Sequence, residues 1–126
     1  MRILAVDDDP IILELLTQFV AAIGEHELTT AESGAQALEI LKTPGCVPFE
    51  CFMLDIQMPQ MDGVELLTHI RDIARYADTP VLMVTAMSDK RYIDAAFKAG
   101  ATDYVTKPFE VNELRVRVGM VEKMAQ

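Results

Sequence analysis

The chain has 126 residues, 20 Asp and Glu against 11 Lys and Arg, a formal net charge of -9, and 51% hydrophobic with 25% charged residues. That length suits one domain with a real core, and the composition excludes a disordered acidic tail. The acidic balance and scattered basic residues argue against nucleic acid or an anionic membrane surface as direct partners, and no apolar stretch nears the roughly 18 to 20 residues of a membrane span.

Ile3 to Val6 is a short apolar run of buried-strand type that passes straight into Asp7, Asp8 and Asp9. No secretory leader is expected from such a start, and the cytoplasm is the expected compartment. Cys46 and Cys51 fit it as reduced thiols, since they have no His or Cys partners at ligand spacing. Asp9 is placed to cap a helix with Pro10 at its first position; Ile12, Leu15, Leu16, Phe19 and Ile23 follow at helical spacing, and Gly24 ends it. Leu28 to Ala31 is a weaker strand, and Ser33 with Gln36 has capping-box spacing ahead of Ala37, Leu38, Ile40 and Leu41. Thr43-Pro44-Gly45 breaks that helix.

Cys51 to Leu54 is a third strand, ending at Asp55. Asp62 and Glu65 have cap spacing for a helix carrying Val64, Leu67, Ile70 and Ile73. Pro80 to Val84 is the fourth strand, with Met53 and Met83 read as core packing. Ser88 is placed to cap a helix through Ala99, Gly100 stops it, and Asp103 to Val105 precedes a last helix from about 110 to 123. In that helix Val111, Leu114, Val118 and Val121 form a core stripe, while Val116, Met120 and Met124 form a second apolar row on another face. His26 and His69 are expected to be solvated.

Strands apolar on both faces, each separated from the next by one amphipathic helix, mean a parallel sheet covered on both sides. The expected fold is an α/β doubly wound (βα)5 three-layer sandwich, too short for an eight-stranded barrel.

In open parallel sheets function collects at the carboxyl ends of the strands. Those ends carry Asp7 to Asp9, Asp55, Thr85, and Lys107 followed by Pro108. Any one of the first three aspartates alone would serve a helix start; it is the set on one sheet edge that points to chemistry. Clustered carboxylates repel unless a cation neutralises them. Mg²⁺, which prefers a few carboxylate oxygens with waters and phosphate oxygens, suits Asp8, Asp55 and a backbone carbonyl. Lys107 then serves as a point charge on a phosphoryl oxygen, Thr85 as a hydroxyl donor to another, and Asp55 as the nucleophile forming an aspartyl phosphate.

Four motifs carry a family resemblance across nearly the whole chain: Ile-Leu-Ala-Val-Asp-Asp-Asp-Pro at 3 to 10, Leu-Asp-Ile-Gln-Met-Pro-Gln-Met-Asp-Gly at 54 to 63, Val-Thr-Ala at 84 to 86, and Asp-Tyr-Val-Thr-Lys-Pro-Phe at 103 to 109. The chain resembles a response-regulator receiver domain of two-component signalling, one domain over residues 1–126. The resemblance implies the sheet order 2-1-3-4-5 and phosphoryl transfer to Asp55 from a sensor histidine kinase or a histidine phosphotransfer protein. It implies Mg²⁺ on Asp8, Asp55 and the main-chain carbonyl of Gln57, with Asp7 acting partly through water. It makes Thr85 and Tyr104 the switch pair, makes Lys107 the phosphoryl-contacting lysine, and gives a cis Lys107-Pro108 bond. The readout would be a surface of the fourth helix, fifth strand and fifth helix, serving a homodimer, an effector domain or an output protein. Gln57 and Met87 occupy positions that tune phosphoryl lifetime in this family.

Such a module phosphorylates and dephosphorylates itself but acts on no external substrate. A haloacid-dehalogenase-like phosphatase would need a second Asp two residues after Asp55, where Gln57 stands. An EF-hand needs alternating ligands and a Gly that Asp7 to Asp9 lack. A phosphorylation-independent pseudo-receiver conflicts with the intact Asp8, Asp55, Thr85 and Lys107.

Overall fold

Local signals place each helix where its caps are. In the computed structural model, which describes residues 1–124, strand β1 (Arg2–Val6) leads to helix α1 (Pro10–Ile23), and the Asp9 carboxylate accepts from the Ile11 N–H at 2.9 Å. After β2 (Glu27–Ala31), helix α2 (Gly34–Lys42) starts with a reciprocal box. Ser33 Oγ accepts from Gln36 N–H at 3.0 Å, and Gln36 Oε1 accepts from Glu32 N–H at 2.6 Å. Strand β3 (Cys51–Leu54) precedes α3 (Gly63–Asp72), whose cap is Asp62 Oδ1 accepting from Glu65 N–H at 2.8 Å. A short 3-10 turn (Ala74–Tyr76), strand β4 (Val81–Thr85), α4 (Lys90–Lys98), β5 (Asp103–Thr106) and α5 (Val111–Met124) complete the described chain. Of the expected domain, residues 125 and 126 lie outside the described residues.

The five strands are all parallel, in the order β2-β1-β3-β4-β5. Because alternate side chains of each strand point to opposite faces, the sheet feeds two cores. Leu4, Phe52, Leu54 and Met83 pack with Ala37, Leu66, Leu67 and Ile70 beneath α2 and α3. Ile3, Met53, Val84 and Val105 pack with Leu16 and Val20 of α1 and Leu114 and Val118 of α5. Apolar burial on both faces is what makes the strands read as continuous apolar runs. Among the described residues no helix is long and apolar enough to cross a membrane.

Several expectations are corrected. Asp89 caps α4 in place of Ser88, accepting from Arg91 N–H at 3.0 Å; the loop stays extended one residue longer, which puts a charged carboxylate at the positive end of the helix dipole. Strand β4 begins at Val81 because Pro80 has no N–H to give a ladder, although its carbonyl accepts from Phe52. Ile73 lies beyond α3, which ends at Asp72, and Leu66 joins the buried stripe instead. Gly24 ends α1 in an extended conformation, not a left-handed turn. His26 is not solvated: its side chain is 2% exposed, with Nδ1 3.0 Å from the Met1 ammonium and Nε2 3.6 Å from Glu122. Burial and the neighbouring ammonium hold its pKa below the ordinary value. His69 is exposed as expected. Cys46 and Cys51 are both free thiols, and burial pushes the Cys51 thiol up to about 12, which keeps it inert.

Candidate functional site

Strand order reverses between β1 and β3, and the residues that follow these two strands face each other across that point. Asp7 N–H donates to the Ala31 carbonyl at 3.1 Å and Asp55 N–H to the Val6 carbonyl at 3.0 Å, so the ladder carries both backbones to the rim. Asp7 (2% exposed), Asp55 (5%) and Thr85 (0%) are buried polar residues, whereas Asp8 is exposed. Asp7, Asp8 and Asp55 each offer a carboxylate oxygen, and the three oxygens lie within 4.8 Å of one another, a group able to hold a metal ion.

Lys107 reaches this group from the loop after β5. Its Nζ donates to Asp7 Oδ2 at 2.7 Å and to Asp55 Oδ2 at 3.1 Å. Burial disfavours the ammonium, but the two carboxylates outweigh that cost and hold the Lys107 pKa above its ordinary value. Burial raises the Asp7 pKa against the opposing hydrogen bonds of Lys107 and the Asp9 N–H. One ammonium facing three carboxylates leaves an uncompensated negative charge, the condition that favours a hard cation. The Lys107-Pro108 peptide bond is cis, as the resemblance implied.

The remaining residues arrange themselves around these charges. Gln57, exposed on the loop after β3, donates its N–H to Asp55 Oδ1 at 3.3 Å. Thr85 lies one strand away, at the end of β4. Its Oγ1 accepts from Met87 N–H at 3.1 Å, and the Tyr104 hydroxyl donates to the Met87 carbonyl at 2.7 Å. Thr85 and Tyr104 are thus joined through the backbone of one half-buried residue, a link no spacing rule announces.

Gly63 is a second feature that sequence reasoning left unused. Its N–H donates to the Ile56 carbonyl at 2.9 Å, and a β-carbon here would fall 2.0 Å from the Asp55 carbonyl oxygen and 2.9 Å from Ile56 Cα. The start of α3 therefore presses directly on the backbone that carries Asp55. The Met-Asp-Gly run at 61 to 63 was the available signal, because a glycine at a helix start points to close backbone approach.

Comparison with known proteins matches this geometry to one family. Residues 3–119 fit a family model described as response regulator receiver domain. The transcriptional regulatory protein KdpE of Staphylococcus aureus is 33% identical over 99% of this chain and 51% of its own length. A chemotaxis protein CheY homolog of Campylobacter jejuni is 30% identical over 94% of this chain and 89% of its own length. Among solved structures, chemotaxis protein CheY4 of Vibrio cholerae has a TM-score of 0.84 at 30% identity, covering 95% of this chain and 97% of that one. The chain spans about half the length of several curated relatives it matches, KdpE among them.

Proposed function

The chain belongs to the response regulator receiver domain family of two-component signalling, and on that premise we propose that it accepts a phosphoryl group on Asp55 and passes the signal on through a change of surface. The observation that carries this reading is the buried Asp7 and Asp55 pair held by Lys107 beside exposed Asp8. Receivers are signalling domains, so the proposed chemistry is self-phosphorylation and self-dephosphorylation. In a dehalogenase-like phosphatase the second carboxylate would stand where Gln57 is, and a pseudo-receiver would have no use for this charge set.

The carboxylates of Asp8 and Asp55 and the main-chain carbonyl of Gln57, with Asp7 acting partly through water, would hold Mg²⁺. When bound, that ion neutralises phosphoryl oxygens and steers them toward Asp55. The chain's own groups do the rest. Asp55, buried at the rim and oriented by the Gln57 N–H, presents its carboxylate oxygen for in-line attack on the phosphorus of a phosphohistidine of a sensor kinase or phosphotransfer protein; as the O–P bond forms the N–P bond breaks, and the donor's imidazole leaves. The Lys107 ammonium, freed in part from Asp55, contacts a phosphoryl oxygen. The Thr85 hydroxyl, which now accepts from Met87 N–H, turns its proton to another. Tyr104 then settles into the vacated space, and the surface of α4, β5 and α5 repacks as a two-state population shift.

The test is direct. Incubation with Mg²⁺ and acetyl phosphate should add one phosphoryl group by intact mass, and none in EDTA; no gain with Mg²⁺ would sink the reading.

Met87 is half-buried beside this site, and we propose that it shields the acyl phosphate from water better than a polar side chain would. Met87→Glu should shorten the half-life of the phosphorylated protein several-fold, measured by decay of the phosphorylated mass. An unchanged or longer half-life would refute the shielding role.

For output, α5 offers Val116, Met120 and Met124 at 59%, 52% and 60% exposure, beside β5, to which Arg117 is tied by an ion pair with Asp103 at 3.0 Å. We propose that the α4, β5 and α5 face pairs two copies or meets an effector domain, as the half-length match to transcriptional regulators suggests. Sedimentation should show more dimer with beryllium fluoride and Mg²⁺ than without; a monomer in both states would remove the dimer. Residues 1–126 are taken as one receiver domain acting in the cytoplasm, without direct contact with nucleic acid or membrane.

A further inference from the structure

The two ends of α4 are held by different means. At the C-terminal end, Gly100 turns the chain at φ +109. Its N–H donates to the Phe97 carbonyl at 3.1 Å, and the Ala101 N–H donates to the Ala96 carbonyl at 3.0 Å, a closure that satisfies two carbonyls of the last turn. Thr102 continues the attachment, its N–H donating to the Val81 carbonyl and its hydroxyl accepting from the Val81 N–H.

Beneath that turn lies the guanidinium of Arg71, from the last turn of α3. Its Nη2 donates to the Gly100 carbonyl at 2.6 Å, while Nη1 donates to the carbonyls of Tyr76 and Thr79 at 2.8 and 2.6 Å. A β-carbon on residue 100 would sit 2.8 Å from Arg71 Nε, so the glycine leaves the space the guanidinium fills. The planar fork thus joins three segments, the exit from α3, the approach to β4 and the α4-β5 turn. Hydrogen bonds from a charged donor are stronger than neutral ones.

The N-terminal end is held more lightly. Ala86 and Ser88 are exposed, and the helix starts on the Asp89 carboxylate within its own loop. Met87 ties this loop to Thr85 Oγ1 and to the Tyr104 hydroxyl, the two side chains expected to move.

We propose that Arg71 is the pivot of α4: it pins the C-terminal end of the helix to α3 and β4, so that switching displaces the N-terminal end alone. Rigid elements that swing about one anchored end are a recurring switch geometry. Arg71 is here a positioning residue, far from the phosphoryl chemistry, and the proposal rests on the reading that phosphorylation of Asp55 moves Thr85 and Tyr104.

Amide hydrogen exchange of the whole chain, with and without beryllium fluoride and Mg²⁺, tests it. In the unmodified protein, exchange should change at residues 86–93 and stay constant at 97–102. In Arg71→Ala, resting exchange at 97–102 should rise by about tenfold with that at 86–91 unaltered, and beryllium fluoride should now change both ends. Phosphoryl uptake from acetyl phosphate should stay within about twofold of the unmodified protein, since the rim is untouched. Equal responses at both ends of α4 in the unmodified protein, or unmodified-like exchange at 97–102 in the variant, would overturn the pivot. If Arg71→Ala does not fold, Arg71→Gln is read in the same way, because its shorter amide cannot reach all three carbonyls. If the unmodified protein ignores beryllium fluoride and acetyl phosphate, the phosphorylation reading and the pivot's role in switching fail together, while the resting exchange of Arg71→Ala still decides whether Arg71 pins the C-terminal end of α4.

Discussion

Asp55→Asn should reduce phosphoryl uptake from acetyl phosphate to background while leaving the domain folded. An amide oxygen is not a phosphoryl nucleophile, and the other carboxylates do not replace it: Asp7 Oδ1 is engaged by the Asp9 N–H and its Oδ2 by Lys107, while Asp8 is exposed. The effect on stability is small because two changes oppose each other. The substitution removes a like charge from beside Asp7, whose pKa Asp55 helps to raise, and it also removes one charged partner of Lys107. The melting temperature in EDTA should therefore stay within about 4 °C of the unmodified protein. With Mg²⁺ the two proteins should separate, since a ligand stabilises only the fold that binds it. The rise in melting temperature with metal should be markedly smaller in Asp55→Asn. Phosphoryl uptake that survives in this variant would move the acceptor to another residue.

Gly63→Ala should be the most damaging single methyl in the protein. The added carbon would lie 2.0 Å from the Asp55 carbonyl oxygen and 2.7 Å from its carbonyl carbon, and neither is a side-chain end that can swing away. Relief requires α3 to retreat from the sheet or the Asp55 backbone to shift. The first strains the packing of Leu66, Leu67 and Ile70, all fully buried, and the second breaks the Asp55 N–H to Val6 carbonyl bond. Overpacking against backbone costs at the upper end of its range, about 3 kcal/mol or more, which lowers the melting temperature by about 10 °C. Thermal unfolding measures that cost. Phosphoryl uptake by the folded fraction should fall as well, because the same push displaces Asp55, the proposed acceptor. A loss of stability below about 1 kcal/mol would show that the helix start yields more easily than this contact implies.

Much of this protein is legible along the chain because its decisive signals are short-range. The cap at Asp9, the Ser33 and Gln36 box and the cap at Asp62 each act over two to four residues, and all three form as their spacing indicates. Strand ends with Asp7, Asp55 and Lys107 on one parallel edge indicate groups that the structure brings into contact, while Thr85 stands one strand away, bonded to Met87. Adjacent caps mark the limit of such reading: Ser88 and Asp89 are both good capping residues, and only the path of the loop from Thr85 decides for Asp89.

What the sequence by itself determined is therefore the alternation of buried strands with one-sided helices, and the residue types at the rim. The tertiary structure alone decided how those groups share their bonds. Lys107 divides its ammonium between Asp7 and Asp55 across 100 and 52 residues of chain, Met87 joins Thr85 to Tyr104, Glu122 and the Met1 ammonium enclose His26, and Arg71 finds the Gly100 carbonyl 29 residues away. Capping and periodicity are set by neighbours in the chain, whereas these contacts depend on sub-ångström distances between elements that only packing on both faces of the sheet can fix.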